Sequence, residues 1–159
     1  MESRNQQINY RLRKASAQDV VFLFNVSTEA MRPVVESLHP DQTFDTESEF
    51  KNYQEKYIPD EIDVIQLDGV DIGRLRIVRS AESIYIGGIQ ILPEFQNRGI
   101  GSAIVTDLIQ ESNSAGVPIL LEVHEINTKA LNFYKKCGFV EVGREEGKLS
   151  MGYSPGDRT

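Results

Sequence analysis

The chain has 159 residues, a 40% hydrophobic and 26% charged composition, and a formal net charge of -7. That length suits one domain able to bury about two-thirds of its unfolded surface, so residues 1–159 are expected to form a single unit. The negative balance argues against a nucleic-acid surface, which needs a basic stripe. No run approaches the ~20 apolar residues of a membrane span.

The first fifteen residues are polar and carry Arg4, Arg11, Arg13 and Lys14 without an apolar segment, so no secretory signal is visible and a cytoplasmic location is expected. Tyr10 to Arg13 reads as a first strand. Ser16 is an N-cap candidate for a helix through Val20, Leu23, Phe24 and Val26, with Met31-Arg32-Pro33 interrupting it. A second helix is expected from Thr46 through Phe50 and Tyr53 to Tyr57, with Thr46 and Glu49 as a capping box and Pro59 as its stop.

Ile62 to Leu67 and Ile72 to Val78 read as strands around an Asp68-Gly69 hairpin turn. Ile84 to Leu92 is the next strand, and Gly87-Gly88 within it predicts a bulge or a close backbone approach. A helix follows over Ile100 to Ser114, with Ile100, Ile104 and Leu108 at four-residue spacing and Gly116 and Pro118 at its end. Ile119 to Val123 is a strand. Asn127 can cap a helix whose buried stripe is Ala130, Phe133, Tyr134 and Cys137, and Gly138 supplies a left-handed stop. Val140 to Val142 and Leu149 to Tyr153 would be terminal strands, with residues 154–159 a frayed tail. This order of strands and helices makes an α/β domain around a mixed sheet.

Chemistry concentrates between the fourth strand and the helix after it, in Gln96, Asn97, Arg98, Gly99, Ile100, Gly101 and Ser102. Two glycines at a helix start let consecutive N–H groups turn toward one point, where the helix dipole adds partial positive charge. A diphosphate suits such a loop. The P-loop is excluded because no Gly-Lys-Ser/Thr is present, and the dinucleotide fingerprint lacks its third glycine, since Ile104 stands there. Q/R-x-x-G-x-G/A is matched by Gln96, Gly99 and Gly101.

Joined to Pro93, Leu121-Glu122-Val123, Asn127 and the run from Asn132 to Phe139, this loop makes the stretch from Ile89 to Phe139 resemble the GNAT superfamily of acetyl-CoA-dependent N-acyltransferases. The resemblance implies a mostly antiparallel central sheet flanked by helices, with splayed strands forming the acyl-CoA cleft. It implies that the amides from Asn97 to Ser102 hold the coenzyme A pyrophosphate, with Gln96 and Arg98 as flanking positions. It further implies that backbone groups of Ile89, Gln90 and Ile91 pair with the pantetheine arm, that Asn127 contacts it, and that Tyr134 protonates the leaving thiolate. Glu122 matches the position of a catalytic glutamate in related enzymes, and His124, two residues on, shares its side of the strand.

Against these roles stand bland ones: a tight turn for the glycines, an N-cap for Asn127, core packing for Tyr134, a structural acid for Glu122 and a surface charge for Arg98. The expected activity is transfer of an acetyl group from acetyl-CoA to a primary amine of a small molecule or peptide. The competing class is a noncatalytic acyl-CoA-binding module. With one cysteine, Cys137, and no Cys/His cluster of zinc spacing, no metal is expected. Between residues 28 and 68 acids outnumber cations eleven to three, a local net charge of -8, which suits a cationic acceptor and equally suits a merely solvated face. The acceptor, the acyl length and whether the chain forms a homodimer are not legible in the sequence.

Overall fold

The computed structural model describes residues 8–41, 43 and 45–156. The strands are β1 (Tyr10–Lys14), β2 (Ile62–Leu67), β3 (Val70–Arg79), β4 (Ile84–Ile91), β5 (Ile119–His124), β6 (Val140–Glu145) and β7 (Lys148–Tyr153). The helices are α1 (Val20–Leu38), α2 (Thr46–Glu55), α3 (Ile100–Ala115) and α4 (Thr128–Lys136). The strands form one seven-stranded sheet in the order β1-β2-β3-β4-β5-β7-β6. Every neighbouring pair is antiparallel except β4 and β5, which are joined through α3, the crossover that a parallel pair requires. The expected α/β fold with a mostly antiparallel sheet is the observed one.

The alternating sequence of β3 and β5 assigns the two faces. Leu75, Ile77, Leu121 and Val123 enter the larger core with Ile100, Ile104 and Leu108 of α3 and Leu131 and Tyr134 of α4. On the opposite face Leu23 of α1 packs with Ala15, Ile62 and Val64, backed by Tyr53 and Tyr57. The β4–β5 pairing extends over only Ile84↔Ile119 and Tyr85↔Leu120. Beyond these two pairs the strands part, while β4 continues against β3 and β5 against β7. That separation opens the centre of the sheet.

Gly87 is the extra residue of a bulge, because Arg76 pairs with Gly88 and Ile77 with Ile86. A side chain at Gly87 would run into the Arg76 side chain, so the double glycine gives both the predicted bulge and a close approach. Asp68 and Gly69 both have positive φ, 53° and 80°, as a tight hairpin turn requires.

Two helix expectations are corrected. α1 runs through Pro33 to Leu38; Pro33 and Glu29 are both exposed, so water can satisfy the carbonyl that the missing N–H leaves. At α2 the N-cap is Asp45, whose carboxylate accepts from the Glu47 N–H at 3.1 Å and the Ser48 hydroxyl at 2.9 Å, and Thr46 is the first helical residue. A capping box does exist between Ser16 and Asp19, at a short 3-10 turn before α1. Part of the polar start and of the terminal tail, residues 1–7 and 157–159, lies outside the described residues. Among the described residues no helix is long and apolar enough to cross a membrane, and no group of three or more His, Cys, Asp or Glu could hold a metal ion.

Candidate active site

The glycine loop leaves β4 through a 3-10 turn at Pro93–Phe95 and enters α3. Asn97 and Gly99 both take left-handed backbone, with φ of 62° and 83°. Gly99 is the N-cap of α3 and has no side chain to satisfy the first-turn amides, so these N–H groups and the positive end of the helix dipole remain available to a ligand. Gln96 braces the loop: its Nε2 donates to the Ile91 carbonyl at 2.8 Å. Arg98 is exposed, as the surface-charge alternative has it. Its guanidinium donates to the Glu94 carbonyl at 3.0 Å and lies 5.1 Å from the Phe95 ring centroid. The cation that lines the site is Lys129 of α4, with Nζ 3.4 Å from Gln96 Oε1.

A cavity of about 350 Å³ lies along the end of β4 beyond its last pairing with β5, walled by the glycine loop, the start of α3, and α4 with its cap. Its lining contains Ile89, Gln90, Ile91, Gln96, Asn97, Gly99, Ile100, Gly101, Ser102, Asn127 and Tyr134, so the sequence-predicted binding residues converge there with Arg98 the exception. Phe95, Phe133, Met31 and Lys129 also line it; α1 reaches the site from far away in sequence, which no local motif could signal.

Strand alternation then sorts the backbone groups of β4. The Leu92 N–H bonds to the Ile72 carbonyl of β3 at 2.9 Å, so the backbone groups of Ile91 and Ile89 point away from β3, toward the opening. Those of Gln90 point to β3, and Gln90 lines the cavity by its side chain. The expected backbone trio is therefore a pair.

Asn127 caps α4, accepting from the Ala130 N–H at 3.2 Å, while its own N–H donates to the His124 carbonyl at 2.9 Å. Tyr134, about two turns beyond the Asn127 cap of α4, is only 8% exposed. Its ring makes edge contacts with Phe133 and Phe139 at 5.0 and 5.4 Å between centroids. Its hydroxyl makes no hydrogen bond to the described residues, and burial, with a smaller contribution from Cys137, pushes its pKa well above that of an ordinary phenol. The group stays protonated throughout the neutral pH range.

Glu122 is not brought to Tyr134. Leu121 and Val123 point into the α3 core, so Glu122 stands on the opposite, α1-side face of the sheet. There it is exposed and lines neither this cavity nor its larger neighbour. His124 is half-buried and lines neither as well.

The larger cavity, about 1010 Å³, lies between the α1–α2 pair and the floor of β3 and β4, and Met31 lines both cavities. Of the eleven acids between residues 28 and 68, only Glu36, Glu49 and Glu61 line it, against Arg32, Lys56, Arg74 and Arg76. The acid-rich segment thus builds a mixed wall.

A model of the acetyltransferase (GNAT) family matches residues 25–139. Over 73 residues the chain is 29% identical to the thialysine N-epsilon-acetyltransferase of Mus musculus, a match covering 45% of this chain and 43% of that protein, so it spans less than half the length of that curated relative. The paia N-acetyltransferase of Thermoplasma acidophilum, solved in complex with coenzyme A, superposes with a TM-score of 0.71 at 18% identity over 92% of this chain and 99% of that one. An acetyltransferase from Thermus thermophilus gives 0.70 at 18% identity, over 93% and 98%. The ribosomal-protein-S18-alanine N-acetyltransferase of Escherichia coli gives 0.61 at 18%, over 95% and 99%. At such identities these structures speak to the fold, whereas the family model spans most of the sequence: the chain belongs to the GNAT acetyltransferase family.

Proposed function

We propose that this protein is an acetyl-CoA-dependent N-acetyltransferase that moves the acetyl group to a primary amine by direct attack within a ternary complex. The observation that carries this reading is convergence: the residues of the uncapped α3 start, the end of β4 freed where it leaves β5, and Tyr134 all line one cavity. The donor set fits coenzyme A. The Asn97 to Ser102 loop takes the pyrophosphate, with Lys129 beside it as a cation and Gln96 as the brace. Ile89 and Ile91 offer backbone groups to the pantetheine amides as an added strand would, and the Ile91 N–H polarises the thioester carbonyl. Asn127 holds the arm from the other side while capping α4.

The amine nitrogen attacks the acetyl carbonyl carbon; the C–N bond forms, the C–S bond breaks, and the departing sulfur takes the Tyr134 proton. Tyr134 regains a proton from solvent. The amine, mostly protonated at neutral pH, must lose a proton first. Glu122 is the assigned base, and because its side chain stands outside both cavity walls it acts through water, with His124 as the neighbouring alternative.

The test is thiol release from acetyl-CoA against amino acids, polyamines, aminoglycosides and peptide N-termini, with coenzyme A binding followed by calorimetry. Amine-dependent release supports the reading. Tight coenzyme A binding without release for any acceptor would instead identify a noncatalytic acyl-CoA-binding module. For the base, Glu122→Gln is expected to remove an ionisation from the acidic limb of the pH-rate profile; an unshifted limb transfers the role to His124 or to solvent.

A further inference from the structure

The floor of the larger cavity carries two arginines from β3, Arg74 and Arg76, on the face opposite Leu75 and Ile77. Arg76 is neutralised: its Nε and Nη2 both donate to Glu61 Oε1, at 3.0 and 2.8 Å. Arg74 is not. Its Nε donates to the Tyr53 hydroxyl at 3.1 Å, its Nη1 to Gln90 Oε1 at 2.9 Å, and its Cζ lies 5.9 Å from the Tyr53 ring centroid. These partners are all neutral, and they fix the guanidinium plane while leaving Nη2 without a partner among the described residues. A half-buried guanidinium held rigid without a counter-ion is a ready fork for a carboxylate. Lys56, at the C-terminal end of α2, adds a second lining cation without a carboxylate partner among the described residues. The remaining lining acids, Glu36 and Glu49, are on the helical wall of α1 and α2, beside Lys56 and an Arg32 that is paired with Glu29, so the sheet floor is cationic at Arg74 while the helical wall carries both signs.

We infer that the acceptor is a small amine that also carries a carboxylate, an amino acid in the broad sense, with its carboxylate on Arg74 and its amine directed past Gln90 to the neighbouring cavity. This rests on the N-acetyltransferase reading and specifies its acceptor. Gln90 is the hinge of the geometry, since it is bonded to Arg74 on one side and lines the donor cavity on the other. The fixed guanidinium therefore stands one side chain away from the reacting end. Glu36 and Glu49 attract the ammonium form of an incoming acceptor. A polyamine, by contrast, would bring only positive charge to Arg74.

Thiol release from acetyl-CoA is to be measured with ω-amino acids from glycine to 6-aminohexanoate, each beside its primary amide, and with spermidine, on wild type, Arg74→Gln and Arg74→Lys. At one chain length the acid is expected to exceed its amide in kcat/KM by about tenfold or more, as loss of a charge-assisted fork implies. Arg74→Gln brings that ratio near one, Arg74→Lys keeps part of it, and the KM for acetyl-CoA stays put in both. Equal rates for acids and amides, spermidine as the best acceptor, or an Arg74→Gln ratio like that of wild type would overturn the carboxylate assignment and leave the acetyltransferase reading standing. Absence of release with every amine, coenzyme A still binding, would defeat that reading instead. Calorimetric titration of the coenzyme A complex with each acid and its amide then decides the anion site by itself: tighter binding of an acid upholds it, and equal binding throughout overturns it.

Discussion

Arg74 and Gln90 face each other across β3 and β4, and the guanidinium Nη1 donates to the Gln90 carboxamide oxygen at 2.9 Å. Gly88 makes this possible, because a Cβ there would stand 2.7 Å from Gln90 Nε2. The carboxamide is the movable end of a flexible side chain, so Gly88→Ala displaces it and breaks the bond at little cost to the sheet. The expected result is a several-fold rise in acceptor KM with the acetyl-CoA KM nearly unchanged. Unaltered constants for both substrates would show that Gln90 does not couple the two cavities.

Gly99→Val and Gly101→Val are both expected to lower coenzyme A affinity at least about 100-fold in calorimetry, for different reasons. At Gly99 the φ of 83° is strained for any β-branched residue, by about 1–2 kcal/mol or more, and a Cβ would stand 2.9 Å from Ile8 Cδ1. At Gly101 a Cβ is tolerated, 3.5 Å from Phe133 Cζ; the extra methyls fill the mouth of the cavity. Stability measured beside affinity separates the two: a loss of melting temperature at Gly99, little change at Gly101. Full affinity in either variant, with the fold intact, would place the pyrophosphate elsewhere.

The elements from Ile84 to Phe139 were legible because local rules act there without competition. The glycine loop, the four-residue apolar spacing of α3 and the Asn127 cap each specify their own geometry. α1 shows the limit: a proline reads as a stop, yet nineteen residues stay helical because the exposed face tolerates the lost bond and Leu23, Phe24 and Val26 are held by packing. The hairpin at Glu146-Gly147, with φ of 50° and 82°, was not signalled, since Glu is an unusual residue for its first position. At the site, Lys129 and Met31 depend on which elements meet in space, and Arg98 was drawn away by a ring and a carbonyl that no spacing rule weighs. The acid-rich segment has the same limit: charge along a chain does not say which carboxylates line a cavity, and of its acids Glu36, Glu49 and Glu61 do.

Tyr134→Phe removes the proton donor while keeping the edge contacts with Phe133 and Phe139. Turnover is expected to fall about 10–100-fold with acetyl-CoA affinity unchanged. Because burial raises the phenol pKa, wild-type activity should show no alkaline loss assignable to this group up to about pH 10, the ordinary phenol value. A wild-type turnover in the variant would mean that water protonates the thiolate and that Tyr134 serves packing alone.

The last prediction concerns acid stability and the pairing that ties β1 to the start of α1. Arg13 donates to both oxygens of Asp19, at 3.0 and 2.9 Å, and to Asp71 Oδ2 at 2.9 Å. The Asp19 carboxylate also accepts from the Ser16 N–H at 2.9 Å. The Arg13 bonds, with the Ser16 N–H assisting, outweigh burial and hold the Asp19 pKa at about 2, against 3.8 for the free side chain. Asp71 is lowered by the same guanidinium. With a depressed folded-state value, the unfolded chain takes up the proton first on acidification, so the stabilisation is complete above about pH 4 and vanishes as the pH falls toward 2. Asp19→Asn is therefore expected to unfold at lower urea concentration than wild type at pH 6, with the gap closing by pH 2. A gap of constant size across that range would show that the carboxylate acts by shape and hydrogen bonding rather than by its charge.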